Sequence, residues 1–167
     1  MSAGTDGPTR SFDVVLLGAT GFTGALVAAA LAEQQGDDDV RIALAGRDGA
    51  RLRALRDDLA VRFGGSPWPV RVVDIFDRAA LDALAAETTV LCTTVGPYAR
   101  YGAAAVAACA AAGTSYCDLT AETPFMRQVM ARHQDEARAT GARLVHACGF
   151  DSIPSDLGVW MLQRAMA

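Results

Sequence analysis

The 167-residue chain contains no lysine; all fifteen of its basic residues are arginine. No Schiff base and no lysine general acid or base can therefore come from this polypeptide. Histidine is scarce as well, with only His133 and His146. The four cysteines, Cys92, Cys109, Cys117 and Cys148, match neither a C-x-x-C pair nor a zinc spacing. Reduced, buried thiols and no metal are the expectation. No apolar run is long enough to span a bilayer, since the stretch from Ala103 to Ala112 is short and mostly alanine. Residues Met1 to Ser11 are polar, carry Gly and Pro, and lack the apolar core of a secretory signal. They read as a flexible N-terminal tail. A net charge of −4 leaves no basic footprint for nucleic acid. What remains is a cytoplasmic chain of one domain's length, with a small-molecule partner and with peripheral membrane contact left open.

Against that background one stretch stands out: Val14-Val-Leu-Leu-Gly18-Ala-Thr-Gly21-Phe-Thr-Gly24. Four apolar residues read as a buried strand, three glycines follow at three-residue spacing, and an alanine-rich helical run begins where they end. Strand, glycine turn and helix N-terminus together form a seat for a dinucleotide pyrophosphate. Gly18 lets the chain turn off the strand, Gly21 lets backbone N–H groups approach phosphate, and Gly24 lets the helix lie close to the sheet. Thr20, Phe22 and Thr23 fill the same mouth. The unpaired N–H groups and positive dipole of the helix start stabilise phosphate charge without any lysine.

Strand and helix patterns alternate along the rest of the chain. Strands are expected at Asp13–Leu17, Arg41–Ala45, Val70–Val73, Thr89–Thr93, Ser115–Cys117 and Arg143–His146. Helices are expected near Thr23–Gln34, Ala50–Val61, Arg78–Ala86, Tyr101–Ala112 and Pro124–Thr140, with a last one from about Ser155 to Ala167. Asp77 suits an N-cap, Thr123-Pro124 suits an N-cap followed by proline, and Gly113 and Gly141 suit C-caps. Ser155 or Asp156 would cap the last helix. This alternation predicts a Rossmann-type, doubly wound parallel α/β sheet of six strands in the order 3-2-1-4-5-6, spanning residues 12–167. A helix carried to the last residue suggests a further domain beyond.

Ligands of such sheets gather at the carboxyl ends of the strands. After the second strand stands Arg47, whose planar fork suits a 2′-phosphate, with Arg51 and Arg53 in support. That favours NADP, although Asp48 would suit the 2′-hydroxyl of NAD. Asp74 ends the third strand, as a border to the adenine or as a plain turn residue. Thr94, Gly96 and Pro97 follow the fourth, near the nicotinamide ribose. The fifth and sixth strands end in Cys117-Asp-Leu-Thr-Ala-Glu122 and His146-Ala-Cys-Gly-Phe-Asp-Ser-Ile-Pro-Ser-Asp156.

Gly18-Ala-Thr-Gly-Phe-Thr-Gly24, Val95-Gly-Pro-Tyr98, Tyr116-Cys-Asp-Leu-Thr-Ala-Glu122 and Cys148-Gly-Phe-Asp-Ser-Ile-Pro-Ser-Asp156 together resemble the saccharopine dehydrogenase-like oxidoreductases, nearest to the trans-acting enoyl reductases. The resemblance runs from Phe12 to Gly158. It implies hydride delivery from NADPH to a polarised double bond: an enoyl C=C on a polyketide or lipid-type acyl substrate, or an imine C=N as in saccharopine dehydrogenase. It also implies a second, C-terminal substrate domain and, through it, a homodimer. Tyr98, Asp118 and Asp151 are the local candidates for donating the second proton or for positioning. A short-chain dehydrogenase is excluded as an active enzyme, because its Tyr-x-x-x-Lys needs a lysine. A semialdehyde-type reductase would need Cys148 as nucleophile with His146 pointing the same way; small-residue packing explains that cysteine more simply. A non-catalytic NADP-sensing module needs only the glycine fingerprint. His133 is expected on a solvated helix face.

Overall fold

The computed structural model describes residues 10–35 and 39–166. Phe12–Leu17 (β1), Ile42–Gly46 (β2), Val70–Val72 (β3), Thr88–Thr93 (β4), Ser115–Asp118 (β5) and Leu144–Val145 (β6) form one sheet in the order β3-β2-β1-β4-β5-β6. All five pairings are parallel, as crossover connections through helices produce. The expected topology is the observed one.

Strand alternation sends Val15 and Leu17 to one face and Leu16 to the other. The Leu16 face packs with Leu44, Ala28, Leu52 and Leu59 beneath helices α1 (Phe22–Gln35) and α2 (Gly49–Phe63). On the opposite face Val15, Leu17, Leu91 and Tyr116 pack with Leu81, Val106 and Phe125. These last belong to α3 (Arg78–Ala86), α5 (Ala103–Ala112) and α6 (Thr123–Thr140). Both faces of the central strands are covered, which is why β1 and β2 read as unbroken apolar runs. Each fully buried Leu or Val contributes about 1.5–3 kcal/mol relative to exposure.

Several boundaries differ from the sequence expectation. The tail does not reach residue 11. Arg10 donates to the carbonyls of Ala112 at 2.8 Å and Ala85 at 3.4 Å, and also to Thr88 O and Thr114 Oγ1. Its charge sits at the C-terminal ends of α3 and α5, where the helix dipole favours a cation. Residues 1–9 of the expected tail, 36–38 of the loop after α1, and Ala167 lie outside the described residues. The helix expected from Tyr101 starts earlier, as α4 (Tyr98–Tyr101), and divides from α5 at Gly102. Thr123 is the first residue of α6 rather than its cap. Glu122 takes the cap position, with its carboxylate turned away to α4. Helix α7 (Ile153–Met166) begins before Ser155 and Asp156, which lie in its first turn instead of capping it. Gly113 and Gly141 are left-handed C-caps, and Asp77 caps α3, as expected.

The cysteines are not uniformly buried. Cys109 is, Cys92 and Cys117 are intermediate, and Cys148 is exposed. His133 is only partly exposed and faces Glu136 at 3.4 Å. No helix among the described residues is long and apolar enough to cross a membrane.

Candidate functional site

The glycine turn is built by steric necessity. Gly18 has φ +88°, and a Cβ there would stand 2.6 Å from Val95 Cγ2 and 2.9 Å from Thr94 Oγ1. A Cβ on Gly24 would overlap Gly18 O and lie 2.9 Å from Ala19 Cα, so α1 can rest on the turn only without one. Gly21 is less crowded: its nearest neighbour would be Gly18 O at 3.3 Å. Two backbone bonds set the depth of the turn, from Gly18 N to Ala45 O at 2.9 Å and from Thr94 N to Leu17 O at 3.0 Å. Thr94 Oγ1 also donates to Gly18 O at 3.2 Å. Among the described residues, no side chain caps the first N–H groups of α1, whereas Asp48 caps α2 and Asp77 caps α3. The start of α1 is therefore open to an anion.

In front of this turn, where the strand order reverses between β1 and β4, lies a cleft of about 440 Å³. Gly18, Thr20, Gly21, Arg47, Asp74, Thr94 and Gly96 line it together. Phe22, Thr23, Gly24 and Pro97 do not. Gly24 is buried behind the turn, and Phe22 is 87% exposed. Arg47 is exposed and lines the cleft, its guanidinium unclaimed by any carboxylate among the described residues. Asp48 has one carboxylate oxygen engaged by Ala50 N at 3.1 Å and Arg51 N at 3.0 Å. Arg51 reaches back to Thr20 O at 3.0 Å and so lines the mouth, while Arg53 stands outside it. Asp74 lines the cleft and, as a turn residue does, accepts from Phe76 N at 3.0 Å. Sequence reasoning passed over Phe76 and Tyr101, whose rings meet edge-on at 5.7 Å across this cleft. An aromatic two residues after the Asp that follows the third strand was the available signal.

The ends of β4, β5 and β6 are closed by their own hydrogen bonds. Tyr98 is 5% exposed, and its hydroxyl donates to Thr93 O at 3.0 Å. Burial pushes that phenol up to about 12. Glu122 accepts from Tyr98 N at 2.6 Å and Ala99 N at 2.8 Å, capping α4 from a distance. Asp118 is 2% exposed and accepts from Tyr116 Oη, Thr120 N, His146 Nδ1 and Ala147 N at 2.9, 3.1, 2.8 and 3.1 Å. Burial pushes its carboxyl upward, but hydrogen bonds from His146, Thr120 and Tyr116 outweigh that and hold it below the ordinary value. Asp151 is exposed and approaches Gly149, where an added Cβ would meet Asp151 Oδ1 at 2.9 Å.

His146 and Cys148 do not point the same way. The imidazole turns inward to Asp118, whereas the Cys148 thiol is exposed, near Val145 O at 3.7 Å. Ala147 between them has φ +59°, which breaks the alternation of an extended chain. A larger groove of about 820 Å³, among Phe12, Leu59, Phe63 and Trp68, lies away from all of these residues.

A parallel sheet with a glycine turn, an open helix start and an arginine at its switch-point cleft defines a dinucleotide-binding α/β domain. The chain belongs to the saccharopine dehydrogenase NADP-binding domain family, whose model matches residues 14–145. It is 52% identical over 158 residues to a trans-acting enoyl reductase of Mycobacterium ulcerans, covering 95% of this chain and 37% of that protein. It is 50% identical over 155 residues to the trans-acting enoyl reductase of Mycobacterium leprae, covering 93% and 36%. The chain thus spans little more than a third of the length of these relatives. Among solved structures, apo saccharopine dehydrogenase (L-Glu forming) from Saccharomyces cerevisiae superposes with a TM-score of 0.67 at 23% identity. That match covers 84% of this chain and 28% of the yeast protein, and it supports the fold alone.

Proposed function

We propose that the chain is the cofactor half of a reductase that takes hydride from NADPH to a polarised double bond, in first place the enoyl C=C of a polyketide or lipid-type acyl substrate. The observation that carries this reading is an Arg47 with no carboxylate partner among the described residues, beside an Asp48 that gives one oxygen to the cap of α2. One oxygen of the group that would select NAD is held in capping α2 although Asp48 also lines the cleft, and the group that suits a 2′-phosphate stands there with no carboxylate partner among the described residues. The names of the mycobacterial relatives support the enoyl acceptor.

Gly18, Gly21 and the start of α1 would hold the pyrophosphate, Arg47 and Arg51 the 2′-phosphate, and Thr94 and Gly96 the ribose beside the nicotinamide. NADPH bound there supplies the hydride. Tyr98 and Asp118 act by position, since the hydroxyl of one and the carboxylate of the other are already engaged. Asp151 stands exposed, and its carboxyl group, taking a proton from water, would pass it to the carbon next to the one that takes hydride. The rest of the acceptor site, and a homodimer contact, would come from a C-terminal substrate domain. The relatives' greater length and the exposed Leu157, Trp160, Met161 and Leu162 of α7 support that assignment.

NADPH and NADH titrations, with and without Arg47→Ala, test the cofactor assignment. Losing charge-assisted bonds to the 2′-phosphate should weaken NADPH about 10- to 100-fold and spare NADH. Equal loss for both would overturn it. Loss of nicotinamide absorbance on adding α,β-unsaturated thioesters tests the acceptor. Tight NADPH binding with no oxidation for any of them would point to a sensing module instead.

A further inference from the structure

Three consecutive residues at the exit of β6 bond to one residue at the end of β5. His146 Nδ1 lies 2.8 Å from Asp118 Oδ2, Ala147 N donates to Asp118 Oδ1 at 3.1 Å, and Cys148 N donates to Asp118 O at 2.7 Å. The two backbone N–H groups converge because Ala147 adopts φ +59°, a left-handed conformation uncommon for a residue with a Cβ. The imidazole is wedged edge-on against Phe125 and Tyr116, with centroids at 5.5 and 5.8 Å. Its Nε2 is buried and has no hydrogen-bond partner among the described residues. With Asp118 ionised, the proton belongs on Nδ1, and Nε2 carries an idle lone pair. Beyond the turn, a Cβ on Gly149 would stand 3.1 Å from Leu119 Cβ, and Ser152 N and Ile153 N bond back to Gly149 O. The loop is therefore pinned at both ends, and its strained residue sits directly beside the Asp118–His146 contact.

We propose that Asp118 and His146 form a positioning pair that holds Ala147 in its left-handed turn and so fixes the Cys148–Ser152 loop. That loop lies on the acceptor side of the cofactor cleft; this placement rests on the reductase reading above, whereas the pinning itself does not. His146 acts through its Nδ1 proton alone. Nε2 is dispensable.

The chemistry of three substitutions separates the two nitrogens. His146→Asn keeps a donor facing Asp118 and deletes Nε2. His146→Gln carries an amide to the Nε2 position and loses the Nδ1 donor, and His146→Phe keeps the ring and loses both. The exposed Cys148 thiol reports the loop, through its alkylation rate by iodoacetamide resolved by peptide mass spectrometry. Buried Cys109 reports global unfolding, because it is 0% exposed.

Cys148 labelling should rise about tenfold or more in the Phe and Gln variants and stay within about twofold of wild type in the Asn variant. Cys109 should stay unlabelled, and NADPH affinity should change by less than about twofold in all three, because the cofactor cleft is built at the ends of β1, β2, β3 and β4. Adding Ala147→Gly to His146→Phe removes the strain that needs holding, so labelling should fall back toward wild type. The proposal is overturned if the Phe and Gln variants label like wild type, if Asn labels as fast as Phe, or if labelling of Cys109 and loss of NADPH binding accompany every change at Cys148. A failure to find reductase turnover leaves these readouts unmoved, so the two readings fail separately.

Discussion

The mouth over β1 and β2 and the mouth over β5 and β6 use the same kinds of residue in opposite ways. At the first, Gly18 and Gly24 remove side chains, and among the described residues no side chain caps α1 and no carboxylate holds Arg47. At the second, Asp118, Tyr98 and Glu122 are all taken up by internal donors or acceptors. The first mouth keeps its hydrogen-bonding capacity for something outside the chain. The second uses its capacity to make a rigid platform at the ends of three strands. A site that must accept an anion leaves N–H groups unpaired and solvated, and a site that must hold a geometry leaves none. A buried carboxylate is therefore a poor sign of acid–base chemistry until its partners are known.

Removing a group from each mouth tests that contrast most directly. Asp118→Ala strands buried donors and should cost about 3–5 kcal/mol in urea unfolding. A cost near that of a surface substitution would break the idea of a saturated platform. Gly18→Ala adds a Cβ at a positive φ against Val95 and Thr94 and should cost about 1–3 kcal/mol. It should also abolish detectable NADPH binding in a fluorescence titration. Retained binding would mean that the turn tolerates more bulk than its geometry allows.

Acid offers a subtler probe. Unfolded, Asp118 titrates near an ordinary carboxylate value of about 3.9, and folded it titrates lower. Its stabilisation is therefore present above that range and is lost as pH falls through the folded value. Melting curves from neutral pH downward should steepen below about pH 4, and Asp118→Asn should flatten them. An unchanged acid slope in that variant would move the acid sensitivity elsewhere. The smallest effect belongs to the open mouth: Asp48→Ala loses an N-cap and should cost about 1 kcal/mol by thermal melting. The substitution should leave NADPH binding within about twofold, if Asp48 has no part in choosing the cofactor.

The strand order was legible because each signal behind it is local. Apolar runs, glycine turns and left-handed caps at Gly113 and Gly141 depend on residues within a few positions of one another. Asp77 was recognisable as a cap for the same reason. Thr123 was not the cap it looked to be. Glu122 stands at that position, and its carboxylate reaches residues 24 and 23 positions away. The start of α4 at Tyr98 was hidden by the same fact. Arg10 looked like tail because nothing near it in the chain needs a cation; its acceptors lie 75 to 104 residues on. Cys148 looked buried beside small residues, yet the left-handed Ala147 turns it outward. No local pattern announces a positive φ at alanine.

The sequence by itself determined the doubly wound sheet, the glycine turn and the arginine beside it, because periodicity and backbone sterics act between neighbours in the chain. The tertiary structure alone decided which polar groups are free. Arg47 has no carboxylate partner among the described residues, whereas Asp48, exposed beside it, gives one oxygen to the cap of α2. Asp118 is bound by His146 across 28 residues while Asp151 stands exposed. A hydrogen bond in a buried layer depends on which groups folding brings within about 3 Å, and that proximity is set by strand register rather than by spacing along the chain.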